Sequence, residues 1–237
     1  MTPRRTFLVA ALTGAGMATL APGLLLIPAQ AAAGADPARR FAILIDVTRC
    51  SADCTACVTA CQAEQGWGPQ GLGAADPHWV RKVEATDPTT GSTLSLPVLC
   101  QHCDNPPCVD VCPTGASFVR PDGIVLVDRH RCIGCRFCQM ACPVKARSFV
   151  AAPQDDQRPH MPRGQGTVEA CTLCVHRLDA GRQPACVEAC GRDGGGAMLF
   201  GDLTDPDGPL VRALAARAAS SLRADLGLGG RIRYAGL

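Results

Sequence analysis

The sequence predicts an α+β fold of short strands, short helices and long loops, and three observations predict it. Sixteen Cys fall into four groups of four, apolar runs of strand length lie between the groups, and only nine residues are aromatic (six Phe, two Trp, one Tyr). Sulfur, rather than large rings, therefore holds much of the interior together. At 237 residues the chain is long enough for one or two compact units. A formal net charge of +2 with interspersed signs excludes the basic footprint of a nucleic-acid binder.

The first stretch reads as a targeting segment. Pro3-Arg4-Arg5-Thr6-Phe7-Leu8 sets two arginines before a mildly apolar run from Phe7 to Ile27, diluted by Gly14, Gly16, Pro22 and Gly23. This is the pattern of a twin-arginine export signal, with Ala29 and Ala31 at the positions an A-x-A peptidase inspects and a mature chain starting near Ala32. An ordinary secretory signal or an uncleaved anchor is the alternative, since the run is just long enough to span a bilayer. From Arg39 to Leu237 no second apolar run reaches membrane length. The expected organisation is a signal over 1–31, one domain over 32–206 and a C-terminal helical extension over 207–237.

The cysteine groups are Cys50, Cys54, Cys57, Cys61; Cys100, Cys103, Cys108, Cys112; Cys132, Cys135, Cys138, Cys142; and Cys171, Cys174, Cys186, Cys190. None is left over, and each group ends in the same C-x3-C step, which is an internal repeat. The third, Cys132 to Pro143, matches C-x2-C-x2-C-x3-C-P without a gap, the bacterial ferredoxin ligand run for iron–sulfur clusters. Two intervening residues let successive thiolates curl round one cluster. The fourth Cys is expected to start a helix and point to a neighbouring cluster, with Pro143 turning the chain away. The second group repeats the pattern with a two-residue insertion; the first opens C-x3-C, and the fourth carries eleven residues between Cys174 and Cys186. Eight disulfides or zinc sites are the competing readings. The close packing of thiols argues against the first, and the Cys-Pro ending argues against the second.

Between the groups, Phe41 to Val47 reads as a buried strand. Ala116–Arg120 and Ile124–Asp128 read as a hairpin about Pro121-Asp122-Gly123, and Trp79–Val83 and Thr93–Pro97 as another about Asp87 to Gly91. Short helices are expected after the fourth Cys of each group, with another near Leu210 to Leu222. Gln154 to Gly166 is a polar loop marked by Pro and Gly.

With Cys103–Ala116 (CDNPPCVDVCPTGA), Asp122–Pro143 (DGIVLVDRHRCIGCRFCQMACP) and Phe200–Pro206 (FGDLTDP) around these groups, the chain resembles the four-cluster ferredoxin-type subunits of polysulfide, dimethyl sulfoxide, tetrathionate and nitrite reductase systems. The resemblance covers nearly all of Arg40 to Pro206. Within the family, the twin-arginine signal, the C-x3-C at Cys50 and Ala146–Val150 (ARSFV) are most similar to the DsrO type of the Dsr membrane complex of sulfur metabolism.

The resemblance implies two interleaved two-cluster ferredoxin-like modules carrying four 4Fe-4S clusters with exchanged ligands. One cluster would use Cys50, Cys54, Cys57 and Cys190, and its neighbour Cys171, Cys174, Cys186 and Cys61. A third would use Cys100, Cys103, Cys108 and Cys142, and the fourth Cys132, Cys135, Cys138 and Cys112. It further implies a periplasmic electron-transfer subunit, not itself an enzyme, bound to the outer face of the cytoplasmic membrane through its partners. Those partners would be an integral membrane quinone-interacting subunit, a multihaem cytochrome or a molybdopterin subunit. Membership of a molybdopterin oxidoreductase is the alternative complex, and a metal-free disulfide-stapled module is the alternative of another class.

Other candidates are weaker. His102 either tunes or ligates a cluster or, with the cysteine sets complete, plays a supporting or surface role. His78-Trp79 either faces a quinone or haem of a partner or, for Trp79, lies in the core. Arg131, Arg136 and Lys145 either offset cluster charge or form a solvated face. No Ser-His-Asp set, phosphate loop or paired acid appears, so no catalytic residue is expected.

Overall fold

The computed structural model describes residues 19–21, 24–25, 35–66, 77–154 and 158–237. The chain divides into two units, Met1–Ala32 and Ala33–Leu237. In the first, β1 (Thr19–Ala21) pairs antiparallel with β2 (Leu24–Leu25). Arg4-Arg5, the expected cleavage site and most of the apolar run lie outside the described residues. Among the described residues no helix is long and apolar enough to cross a membrane.

The second unit is α+β, built around β3 (Phe41–Asp46). This strand reads as an unbroken apolar run because both its faces are covered. Ala42 and Leu44 meet Leu210 on one side, while Ile43 and Ile45 meet Trp79, Leu99 and the cysteine-rich core on the other. β10 (Met198–Asp202) flanks β3 antiparallel, with Asp202 opposite Phe41. On the other edge β12 (Ile232–Ala235) runs parallel to it, and β11 (Ala219–Ser220) closes the sheet.

The tail thus departs from a helical extension. Its helix α6 (Pro209–Ala216) stops short of Leu222, and the remaining chain returns to the sheet. Ile232 and Tyr234 drive the return: they alternate with Arg231 and Arg233 and are completely buried. The first expected hairpin is β4 (Val80–Thr86) with β5 (Thr93–Leu99), turned where Asp87 accepts from the Thr89 N–H at 2.8 Å. The second is β6 (Ser117–Val119) with β7 (Val125–Val127). A third, β8 (Arg147–Phe149) with β9 (Val168–Ala170), closes the loop that follows the third cysteine group.

The helices correct the sequence reading. α1 (Ala56–Gln65) holds Cys57 and Cys61, α2 (Pro107–Asp110) holds Cys108, α3 (Phe137–Ala141) holds Cys138, and α5 (Ala185–Asp193) holds Cys186 and Cys190. Each begins one residue before the third cysteine of its group, so it opens with the C-x3-C step rather than following it. An i, i+4 spacing is about one helical turn and sets both thiols of α1 and of α5 on one face, whereas Cys112 and Cys142 lie just beyond the ends of α2 and α3. The remaining helix, α4 (Val175–Leu178), follows Cys174 inside the eleven-residue excursion.

β10 meets α6 at Gly201, where a Cβ would come 2.6 Å from that of Leu210. Gly201→Ala should overpack this seam and cost about 1–3 kcal/mol. The check is the urea midpoint of the cluster-loaded chain; an unchanged midpoint would mean that α6 yields freely.

Candidate metal centres

None of the sixteen cysteines forms a disulfide, ten of them are buried, and only Cys135 is exposed. The fold gathers them across groups. One cavity is lined by Cys100, Cys103 and Cys108 from the second group together with Cys142 from the third. Another is lined by Cys171, Cys174 and Cys186 from the fourth group together with Cys61 from the first. Cys57 has Cys50, Cys190 and Cys54 as electrostatic neighbours, and Cys138 has Cys108 and Cys132. Ser117 connects the fourth set, its N–H donating to Cys112 Sγ at 3.4 Å and its side chain bonding Cys138.

Local backbone geometry arranges these meetings. Gly134, in the first turn of the third group, sits at φ +71°, and a Cβ there would come 2.0 Å from the carbonyl oxygen of Gly166. Only glycine suits both demands. Main-chain amides also reach the sulfurs: Ala146 N–H donates to Cys142, Val168 N–H to Cys132 and Leu173 N–H to Cys171, each at 3.4 Å. Such donors favour thiolate over thiol.

The thiols by themselves suit no other purpose well. Burial drives Cys61 and Cys171 well above the ordinary thiol range, aided by the crowding of neighbouring sulfurs. Burial lifts Cys100 to about 12 against the pull of Arg147. Only the more open Cys112 falls, to about 7, because the amides of Ser117, Thr114 and Ala116 and the Thr114 hydroxyl outweigh its burial. Four desolvated thiols around one cavity need a polycationic centre to deprotonate them, and a bound metal does this outright. The donor set therefore fits iron–sulfur clusters.

Residues 92–203 match the family model of the 4Fe-4S dicluster domain. The chain is 40% identical to iron–sulfur subunit 1 of the Hdr-like menaquinol oxidoreductase of Archaeoglobus fulgidus, over 84% of each chain. It is 40% identical to a tetrathionate reductase subunit from Salmonella typhimurium, covering 85% of this chain and 74% of the relative. With a sulfite dehydrogenase subunit from Allochromatium vinosum it shares 38% identity over 79% of each. The chain belongs to the family of 4Fe-4S electron-transfer subunits of oxidoreductase complexes. This iron–sulfur subunit carries several 4Fe-4S clusters, and its role is electron transfer rather than substrate chemistry.

The structure sorts the remaining candidates. His102 is fully buried rather than on the surface: Nδ1 accepts the Val125 N–H at 3.2 Å, and Nε2 meets no acceptor from the protein. Burial, with Arg231 and Arg147 nearby, lowers it to about 3, so it stays neutral. Trp79 is core, its indole N–H donating to the buried Glu169 at 3.3 Å, and His78 lies half-buried beside it. Arg131 and Lys145 are exposed, and Arg136 stacks on Phe149 with its guanidinium 3.7 Å from the ring centre.

Two other cations contact cysteine sulfur directly, and sequence reasoning passed over both. Lys82 donates to Cys50 Sγ at 3.0 Å and to the Ser51 carbonyl at 2.8 Å. Arg147 donates to Cys108 Sγ at 3.0 Å. Strand contacts join residues 32 and 39 positions apart, and no local spacing announces them.

Glu64, His160 and His176 also cluster. His176 Nε2 lies 2.7 Å from Glu64 Oε1, Arg177 donates to Oε2 at 2.8 Å, and the two imidazoles stack 3.7 Å apart at 20°. Parallel rings do not aim two lone pairs at one ion, so the trio acts as a clamp between α1 and α4.

Gly134→Ala should collide with Gly166 and lower both the bound iron per chain and the thermal midpoint, at a cost above about 1 kcal/mol. Full iron content in that variant would show that the third-group loop tolerates another backbone path.

Proposed function

We propose that this subunit is an exported electron wire of two interleaved ferredoxin-like modules, relaying single electrons between a membrane quinone- or haem-linked partner and another redox subunit. Four 4Fe-4S clusters would be held as Cys50, Cys54, Cys57 with Cys190; Cys171, Cys174, Cys186 with Cys61; Cys100, Cys103, Cys108 with Cys142; and Cys132, Cys135, Cys138 with Cys112. The observation that carries this reading is the pair of cavities, each ringed by three cysteines of one group and the last cysteine of another.

The clusters supply one-electron chemistry when bound; the chain supplies spacing, burial and charge. In α1 and α5 the third and fourth thiols of a group leave the same helix face toward different sets, and in the second and third groups the last cysteine follows a helical turn that carries it away from the third. A relay must also meet its partners. Exposed Cys135 lies in a stretch of chain that also exposes Ile133, Phe137 and Met140, apolar surface that would suit a redox partner. The menaquinol oxidoreductase relative supports a quinone-linked partner. The tetrathionate and sulfite relatives support a role in sulfur metabolism, of the Dsr type or within a molybdopterin oxidoreductase. Export rests on Arg4-Arg5 before a weakly apolar run, a route for chains folded with their cofactors, and would bring the subunit to the periplasm against the membrane.

Anaerobically purified protein should carry about sixteen iron atoms per chain, four per cluster. Cys103→Ala and Cys142→Ala should perturb the same electron paramagnetic resonance signal, and Cys112→Ala a different one. A shared defect of Cys103→Ala and Cys112→Ala would mean that each group binds its own cluster. Replacing Arg4 and Arg5 together by Lys should leave cluster-loaded precursor in the cytoplasm; normal periplasmic delivery of that variant would put the chain on another route.

A further inference from the structure

Four arginines of the described residues are buried: Arg147, Arg163, Arg177 and Arg231. Three have carboxylate partners, Arg163 with Glu169, Arg177 with Glu64 and Glu188, and Arg231 with Asp104. Arg147 has none among the described residues. Only 3% of it is exposed, and its two arms go to a neutral hydroxyl and a sulfur: Nη1 donates to Ser117 Oγ at 2.9 Å and Nη2 to Cys108 Sγ at 3.0 Å. A guanidinium does not shed its proton, and a buried cation without a counter-charge costs several kcal/mol. Its counter-charge must therefore come from the cysteine sulfurs.

The position of Arg147 serves two centres at once. Its side chain lines the cavity of Cys100, Cys103, Cys108 and Cys142. The same charge acts on Cys138, which belongs to the neighbouring set. Ser117, which receives one arm, also holds Cys112 through its N–H and Cys138 through its side chain. One guanidinium and one serine thus touch members of both proposed ligand sets of the second and third groups.

We infer that Arg147 is a shared counter-ion of these two clusters, a positioning residue that raises both reduction potentials. The inference rests on the ligand sets proposed above. Adding an electron to either cluster adds negative charge beside a fixed, desolvated cation, and low local dielectric makes that attraction strong. A cation reached by one cluster alone would split the two potentials. One shared between them lifts both, which suits a relay that passes electrons from one to the next.

The test is a redox titration of the full-length, anaerobically purified chain, followed by electron paramagnetic resonance, in wild type, Arg147→Gln and Arg147→Lys. The Gln variant should shift both midpoint potentials negative, those of the signals lost in Cys103→Ala and in Cys112→Ala, and the Lys variant should restore most of both shifts. Lys82→Met is the control and should leave both where they are. If Gln at this site costs iron, Arg147→Met fills the same volume and is read in the same way. With iron at the wild-type level, a Gln or Met variant that moves neither potential, or only one, overturns the shared role. A wild-type chain without iron, or a signal shared by the Cys103 and Cys112 variants, overturns instead the cluster assignment on which the inference stands.

Discussion

One helical turn, repeated in each C-x3-C step, governs the architecture. Within α1 and α5 the two cysteines of a step share one helix face, and in the second and third groups a single turn precedes the last cysteine. Because the face is shared but the two thiols are displaced along the axis, they reach different cavities. Cys61 therefore sits with Cys171, Cys174 and Cys186, whereas its sequence neighbour Cys57 sits near Cys50, Cys54 and Cys190. The packing of α1 on α5 and β4, and of α5 on β10 of the sheet, holds these turns in place.

The second constraint is electrostatic. Thiolates crowded into a poorly solvated interior repel one another, and the chain answers with sources of positive potential aimed at sulfur. Main-chain amides reach Cys112, Cys132, Cys142 and Cys171, Lys82 reaches Cys50, and Arg147 reaches Cys108. Apart from the Leu173 amide, which lies within the fourth group, these donors come from strands and loops outside the group they serve or from the turn just after it. The buried ion pairs elsewhere play a different part: Glu169 accepts from Arg163 and Trp79 and binds β9 to the core without touching sulfur.

The features legible in the sequence were those encoded by local spacing. The cysteine groups, both hairpins and β3 follow from periodicity and turn residues, and the Asp87 turn forms as its side chain dictates. What escaped depends on distant partners. β12 is four residues long and gains meaning only when β3 lies beside it, and β8 needs β9 across a long polar loop. The helices begin earlier in each group than the sequence suggests, because the C-x3-C step is a helical turn as well as a ligand spacing. Lys82 and Arg147 stood in strand segments with nothing nearby to mark them, while the more conspicuous Arg131 and Lys145 beside the third group turn outward.

The core itself joins folding to cofactor. Cys57, Cys61, Cys100, Cys142, Cys171, Cys186 and Cys190 sit in the same buried cluster as Ile43, Ile45, Trp79 and Leu99. With so few aromatics to fill the interior, the sulfurs occupy positions that large side chains take in other domains. Without a metal centre those positions become desolvated, mutually crowded thiols around open cavities, and Arg147 becomes a buried cation with no counter-charge. Binding free energy is then folding free energy, because the ligand sets are assembled from groups far apart in the chain. A chain of this kind gains its cavities and its clusters together, so the proposed export in the folded state and the exchange of ligands between groups answer to the same physical requirement.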